Sequence, residues 1–380
     1  MDHPHHHFLR YHDWLVQYAL PFWAKAAINP AGGFHEKLTM QGQPVTNCAR
    51  RVRVQARLTQ VYSMAAYYGW YENAEAVSDH GWHFLTRDGM AGSDDRAGIA
   101  HLLNPDGSVL DGHRDTYAQA FLLLAAAWRV KAFDDRAARD ILEQTVGFLD
   151  SRLSHPAGGW KEGHPETLPR RQNPHMHLIE AFMTCHEATG ENIYLEKANQ
   201  IFNLFTDHFY DMDSGLLLEF FNDRFQPDTK SGHLIEPGHM MEWVWLLDWY
   251  RRLTGTQTRN YADRLYAQAE HIGLNEKTGL LFDQVTKSGD VMKETSRLWT
   301  LTELIKASMV NGKLEAANGL TGLMLDKYLS VPVAGGWSDT CDNIGVTVPG
   351  FMETSSFYHL IGVGAEMKRL GLNEQTQPSA

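Results

Sequence analysis

Imidazoles, carboxylates and amides recur in this chain at helical spacing. In NPHMHLIEAF, residues 173–182, Asn173, His177 and Glu180 stand at i, i+4 and i+7, so one helical face carries all three. His175 is two residues from His177, and only one of the pair can share that face. In EPGHMMEWVWLLDW, residues 236–249, His239 and Glu242 lie three apart at a helix start. The carboxylate can orient the ring there, and the helix N-terminus is expected to hold the imidazole near neutrality. In ETSSFYHLIGV, residues 353–363, Ser355, Ser356 and His359 fall in the last helical segment. Two imidazoles, an arginine and a few carboxylates in one cavity suit proton transfer about a carbonyl carbon better than hydrolysis.

The elements that must bring these residues together repeat. Arg57, Tyr117, His177, His239, Trp299 and His359 are separated by 60, 60, 62, 60 and 60 residues, each in a helix-like apolar segment that follows a Gly-containing turn. A period of this length fits one hairpin of two antiparallel helices. Six hairpins can close into a toroid whose inner ring presents one residue per repeat to a central cavity, with His359 brought beside Arg57. A structural repeat would place Leu or Ala at such positions; here they are polar or aromatic.

Apolar residues at i, i+3, i+4 and i+7 predict helices over 8–26, 51–69, 76–86, 115–132, 135–150, 173–189, 193–208, 237–254, 258–272, 296–311, 313–328 and 353–369. Gly-bearing segments at 31–34, 157–160, 214–221, 278–284 and 334–337 read as small hairpins on the rim where inner helices begin. Pro174, Pro237 and Pro349 lie just before the expected inner-helix starts, which fits a first turn or a preceding turn. The 380 residues exceed the roughly 250–300 that one ordinary core supports. With no internal linker, residues 1–380 read as a single all-α (α/α)6 barrel.

Composition narrows the function. The chain carries 34 basic and 46 acidic residues with no Lys/Arg-rich block, which argues against a nucleic-acid partner. A neutral substrate is the simpler expectation, since only Arg50, Arg51, Arg53, Arg57, Arg170 and Arg171 cluster enough to serve an anion. Eleven Trp and 14 Tyr suit stacking on sugar rings as well as core packing. Cys48, Cys185 and Cys341 are scattered, so neither a disulfide framework nor a CxxC metal site is expected, and a reducing compartment is implied. The N-terminus lacks an apolar signal core, and the longest apolar run, 120–128, is too short for a bilayer; a cytoplasmic protein without membrane contact is expected. His3, His5, His6 and His7 read as a tag or a frayed metal-scavenging end, and the tail after Leu372 as loose.

Six stretches in order, RVRVQARLTQVY (51–62), DTYAQAFLLLA (115–125), RRQNPHMHLIEAFM (170–183), EPGHMMEWVWLL (236–247), SRLWTLTELIKA (296–307) and SSFYHLIG (355–362), resemble the N-acylglucosamine 2-epimerase superfamily, and within it the D-mannose isomerase and aldose–ketose isomerase branch. The resemblance implies an (α/α)6 barrel acting on a small neutral monosaccharide as monomer or homodimer, without redox cofactor or obligatory metal. It implies that His359 is the general base on the C2 proton and His239 the second acid/base group. Arg57 matches the arginine near O1 and O2, with Arg53 an alternative on a related face; His177 and Glu242 match further cavity residues. Asn173, Tyr117, Trp299 and Glu180 match substrate contacts. The implied reaction interconverts D-mannose and D-fructose. Competing readings are 2-epimerisation of mannose, cellobiose or N-acylglucosamine, isomerisation of a sulfonated sugar, and, in another class, glycoside hydrolysis through Glu180, Glu242 or Glu303.

Overall fold

Two kinds of helix alternate along the chain because two kinds of apolar pattern do. Thr116–Phe133 is apolar around nearly its whole circumference and is buried from Ala118 to Val130; the following Arg136–Phe148 is apolar on one stripe and exposed on the other. A computed structural model describes residues 5–91 and 97–373, and in it this contrast sorts the helices into two concentric layers. The inner layer is Val52–Tyr67, Thr116–Phe133, Gln172–Thr189, Pro237–Thr254, Leu298–Val310 and Phe357–Arg369. Each packs against the next, and the last packs against the first, so the ring closes. Outside it lie the His6–Ala26 segment, Ala74–Phe84, Arg136–Phe148, Asn192–Leu204, Arg259–Gly273 and Leu314–Lys327. The architecture is the expected (α/α)6 barrel, with every expected helix in place.

The mouth of the barrel is stitched by short antiparallel strands. The strand leading into each inner helix pairs with a strand of the following repeat: Arg50–Arg51 with Leu102–Leu103, Arg114–Asp115 with Gly163–His164, Arg170–Arg171 with Phe220–Phe221, Leu234–Ile235 with Gln284–Thr286, and Ser296–Arg297 with Thr340–Cys341. The sixth pair joins Met352–Glu353 to Lys37–Leu38, across the seam between last repeat and first. Bridges or strands also flank four of the expected Gly-bearing turns. The fifth, 334–337, forms no strand; Trp337 instead stacks on Trp23 at 4.1 Å.

Two of these turns, and a third at Gly98–Ile99 outside the expected set, are clamped from the inner layer. Gln55 and Gln119 each exchange two hydrogen bonds with the backbone of Phe34 and of Ile99, and His175 accepts from the Trp160 amide at 3.1 Å. Such close approach leaves no room beside the clamp. A Cβ at Gly33 would stand 2.5 Å from the Gln55 carbonyl oxygen and one at Gly159 2.6 Å from His175 Nε2, and both glycines hold positive φ. Gly159→Ala should therefore lower the melting midpoint by several degrees without changing the helix content, which calorimetry with far-UV circular dichroism would measure.

Several expectations need revision. Pro237 opens its helix and Pro174 lies within a first turn, while Pro349 lies further ahead, before the strand that leads into the last inner helix. The N-terminal histidines are not frayed from His6 onward, because Asn318 Oδ1 accepts the His7 and Phe8 amides and fixes the first turn; His3 lies outside the described residues. Of the tail after Leu372 only Asn373 is described. Among the described residues no helix is long and apolar enough to cross a membrane.

Candidate functional site

A cavity of about 420 Å³ opens at the end of the barrel where the inner helices begin, and Arg57, Tyr117, His177, His239, Trp299 and His359 all line it. They do so from two depths. Counted from the residue preceding each inner segment, Arg51, Asp115, Arg171, Glu236, Arg297 and Glu353, the repeats are 64, 56, 65, 61 and 56 residues long, not a uniform 60. Arg57, His177 and His359 sit six residues in, level with Phe121, Glu242 and Glu303. Tyr117, His239 and Trp299 sit two or three residues in, a turn nearer the mouth. The even spacing thus drew its six residues from two layers, both of which face the cavity.

Those preceding residues alternate in sign around the mouth. In the three repeats where arginine stands there, an acid just ahead of the repeat's paired strand binds it: Glu36 pairs with Arg51, Glu162 with Arg171 and Asp283 with Arg297. In the fourth repeat the position is Glu236, and the corresponding acid, Glu219, has no arginine to bind. Its carboxylate takes His239 Nδ1 instead, at 3.0 and 3.1 Å, and accepts from Gln172 Nε2 at 2.9 Å. Glu219 is fully buried and does what Glu242 was expected to do. Burial pulls the His239 imidazolium down, but Glu219 and then Glu236 outweigh it, and the group is pushed up to about 9. The expected near-neutral imidazole is therefore a protonated donor, because two carboxylates dominate over the helix terminus. The Asn173 side-chain amide lies 3.2 Å from His239 Nε2 and its Oδ1 has no other partner, so turning that oxygen to the protonated Nε2 satisfies both.

His359 is tuned the opposite way. Burial drives its imidazolium down to about 4, and the hydrogen bond to Glu303 offsets only part of this. Nδ1 donates to Glu303 Oε1 at 2.9 Å, which leaves Nε2 as the basic atom. The Trp299 ring lies between the two histidines, 5.1 Å from the His239 ring and 5.8 Å from that of His359. Arg57 donates to Tyr117 Oη at 2.7 Å and to the Ser355 carbonyl across the seam at 3.3 Å. Its guanidinium lies over Phe121 at 4.2 Å, so its direction is fixed. Arg53 lines the same wall four residues nearer the mouth, over Tyr117 at 5.6 Å and without an ion pair among the described residues.

Glu242 turns toward the deep layer, 3.7 Å from His177 Nδ1, with its carboxyl held well above the ordinary range by burial and then by Glu303. Glu180 stands apart from the lining. Its face of the helix is the right one, but three residues further along the axis it lies below the floor, where Tyr358 Oη donates to it and His177 Nδ1 contacts it at 3.2 Å. His175 points away into the clamp described above, so His177 is the cavity member of that pair. Four guanidinium groups, Arg51, Arg53, Arg57 and Arg297, are matched in the cavity wall by four carboxyl groups, Glu236, Glu242, Asp339 and Glu353. His177, Glu180 and Glu242, and likewise Glu242, Glu303 and His359, converge within 4.8 Å, close enough to hold a cation. Against Glu303, at 2.7 Å, stands the ammonium of Lys306, which already supplies positive charge to that cluster.

Residues 32–363 match the family described as N-acylglucosamine 2-epimerase. A mannose-6-phosphate isomerase of Rhizobium meliloti is 33% identical over 365 residues, 92% of this chain and 93% of that protein. A D-mannose isomerase of Thermobifida fusca is 29% identical over 243 residues, 59% of this chain and 58% of that one. A D-mannose isomerase crystal structure superposes with a TM-score of 0.85 at 19% identity, covering 96% of this chain and 97% of the other.

Proposed function

Because this chain belongs to the N-acylglucosamine 2-epimerase family of sugar isomerases and epimerases, we propose that residues 1–380 form one catalytic domain that interconverts D-mannose and D-fructose. The observation that carries this reading is the pair of oppositely tuned histidines on one cavity, a protonated His239 and a basic His359, with Arg57 in the same wall. A hydrogen beside a carbonyl is a weak acid, so the ring must open and the charge formed at C2 must find a partner. His239 gives its proton to the ring oxygen and takes the proton of the anomeric hydroxyl in return, so it ends the opening step protonated. His359 Nε2 takes the C2 proton, and Arg57, permanently charged and fixed, stabilises the cis-enediolate. With the O2 proton passed to O1, return of the carbon-bound proton to C1 by His359 gives the ketose; protonation of the opposite face of C2 by His239 would give the 2-epimer instead. Glycoside hydrolysis is less well supported, since Glu180 and Glu303 are engaged below the floor with Tyr358, Lys306 and His359.

Incubating the protein with mannose and resolving fructose, glucose and mannose by chromatography tests the proposal; absence of fructose would remove it. The pH profile is a further expected result. kcat/KM should rise as His359 loses its proton through about 4 and fall as His239 loses its proton through about 9. Exhaustive EDTA treatment is expected to leave turnover unchanged, and restoration by an added divalent cation would contradict this.

A second reading has one observation behind it. Arg53, without an ion pair among the described residues, suits an anionic group on the sugar, and a relative covering nearly the whole chain is a mannose-6-phosphate isomerase. The balanced charge of the wall favours the neutral sugar. Comparing mannose with mannose 6-phosphate decides: Arg53→Ala should weaken only the phosphorylated substrate if that one is native.

A further inference from the structure

At and beneath the floor of the cavity, three carboxyl groups, of which Glu242 also lines the cavity, gather around one ammonium. Lys306 is 2% exposed and Glu303 fully buried, and their charged atoms are 2.7 Å apart. Glu242 on the adjacent inner helix and Glu180 on the one beyond it act on the same ammonium, and Tyr358, His359, His177 and Arg57 are further titratable and charged groups of the cluster. The ammonium also lies 3.6 Å from the Trp245 ring centre. So many fixed contacts on a flexible side chain mark a built position.

We infer that Lys306 is a positioning residue for the isomerisation, an internal counter-ion that keeps Glu303 ionised and thereby holds His359 with its proton on Nδ1 and its lone pair on Nε2. The chain of contacts is direct. Lys306 Nζ meets Glu303 Oε2, and Glu303 Oε1 accepts from His359 Nδ1 at 2.9 Å. An ionised Glu303 can only accept, so the tautomer of His359 is fixed. A protonated Glu303 could donate to Nδ1, placing the imidazole proton on Nε2 and removing the base. Burial would push the Glu303 carboxyl up, but Lys306 and then His359 hold it below its ordinary range.

Lys306 also touches a second cavity. At the opposite end of the barrel a space of about 410 Å³, walled by Trp128, Trp245 and Trp249, reaches down to Lys306 and Glu180. This gives a route by which a small amine can replace a deleted lysine side chain from the side the sugar does not use.

The inference rests on His359 being the base of the proposed reaction, and its test separates the two. Lys306→Ala and Lys306→Met should lower kcat with mannose roughly 10- to 100-fold, the scale of losing an outer partner of a functional histidine, with KM little changed. The acidic limb of kcat/KM should move to higher pH, because both Glu303 and His359 then protonate more readily. Propylammonium should restore part of the Lys306→Ala rate and return the limb toward its wild-type position, whereas tetramethylammonium, which has no N–H, should not. If these variants fold poorly, ¹⁵N-histidine NMR of the wild-type protein gives the tautomer directly: a protonated Nδ1 and bare Nε2 on His359 support the inference, and the reverse overturns it. A variant pH profile that superimposes on wild type also overturns it. Inactive wild type would remove the sugar reading, leaving the tautomer as the measure of the Lys306 role.

Discussion

With alanine in place of His359, turnover of mannose should fall by about 10²- to 10⁴-fold, the worth of a positioned proton-transfer group, while the melting midpoint stays close to wild type. The fold should tolerate the change because the ring lines the cavity on one side and Glu303, its partner on the other, keeps the Lys306 ammonium. The decisive readout is isotopic. In deuterated water the wild-type protein should wash deuterium into C2 of mannose and C1 of fructose, and the variant should do neither. Retention of activity within about tenfold would exclude His359 as the base, since a fully engaged group is worth more than that.

His239→Ala should give a comparable loss with mannose and a much smaller one with D-glyceraldehyde. Glyceraldehyde cannot close a sugar ring, so a variant lacking only the ring-opening donor should still isomerise it through His359 and Arg57. Equal losses on both substrates would place His239 in the enolisation step instead. Glu219→Gln refines the result, because Glu219 is the strongest of the influences that raise His239. Its variant should carry the alkaline limb of the pH profile down from about 9 toward the ordinary histidine range, with the acidic limb set by His359 unmoved. An unchanged alkaline limb would mean that some other group controls it.

Much of this was legible in the residues, and the omissions have physical causes. Helical periodicity located both layers, since an apolar segment without a polar face, such as 118–130, belongs inside and a striped one outside. The even spacing found six true cavity residues but hid the two depths, because repeats of 56 to 65 residues average close to 60. Glu242 was assigned to His239 on i, i+3 adjacency, yet the helix axis runs down the barrel and carries Glu242 toward His177. Glu219 was missed because its partner is 20 residues away in another element. A trace existed in LLLEFF: an acid within an apolar segment, in a repeat where an acid, Glu236, rather than arginine precedes the inner helix. Lys306 lay unremarked in the helix from which only Trp299 and Glu303 were singled out.

The strand pair between Lys37–Leu38 and Met352–Glu353, with the Arg57 bond to Ser355, joins parts of the polypeptide some 300 positions distant. Helical hairpins form from neighbours, but this junction must wait until every intermediate hairpin has stacked, and long-range closure is slow. Catalytic competence is thus an emergent and late property during folding, arriving when the circle is completed rather than accumulating hairpin by hairpin.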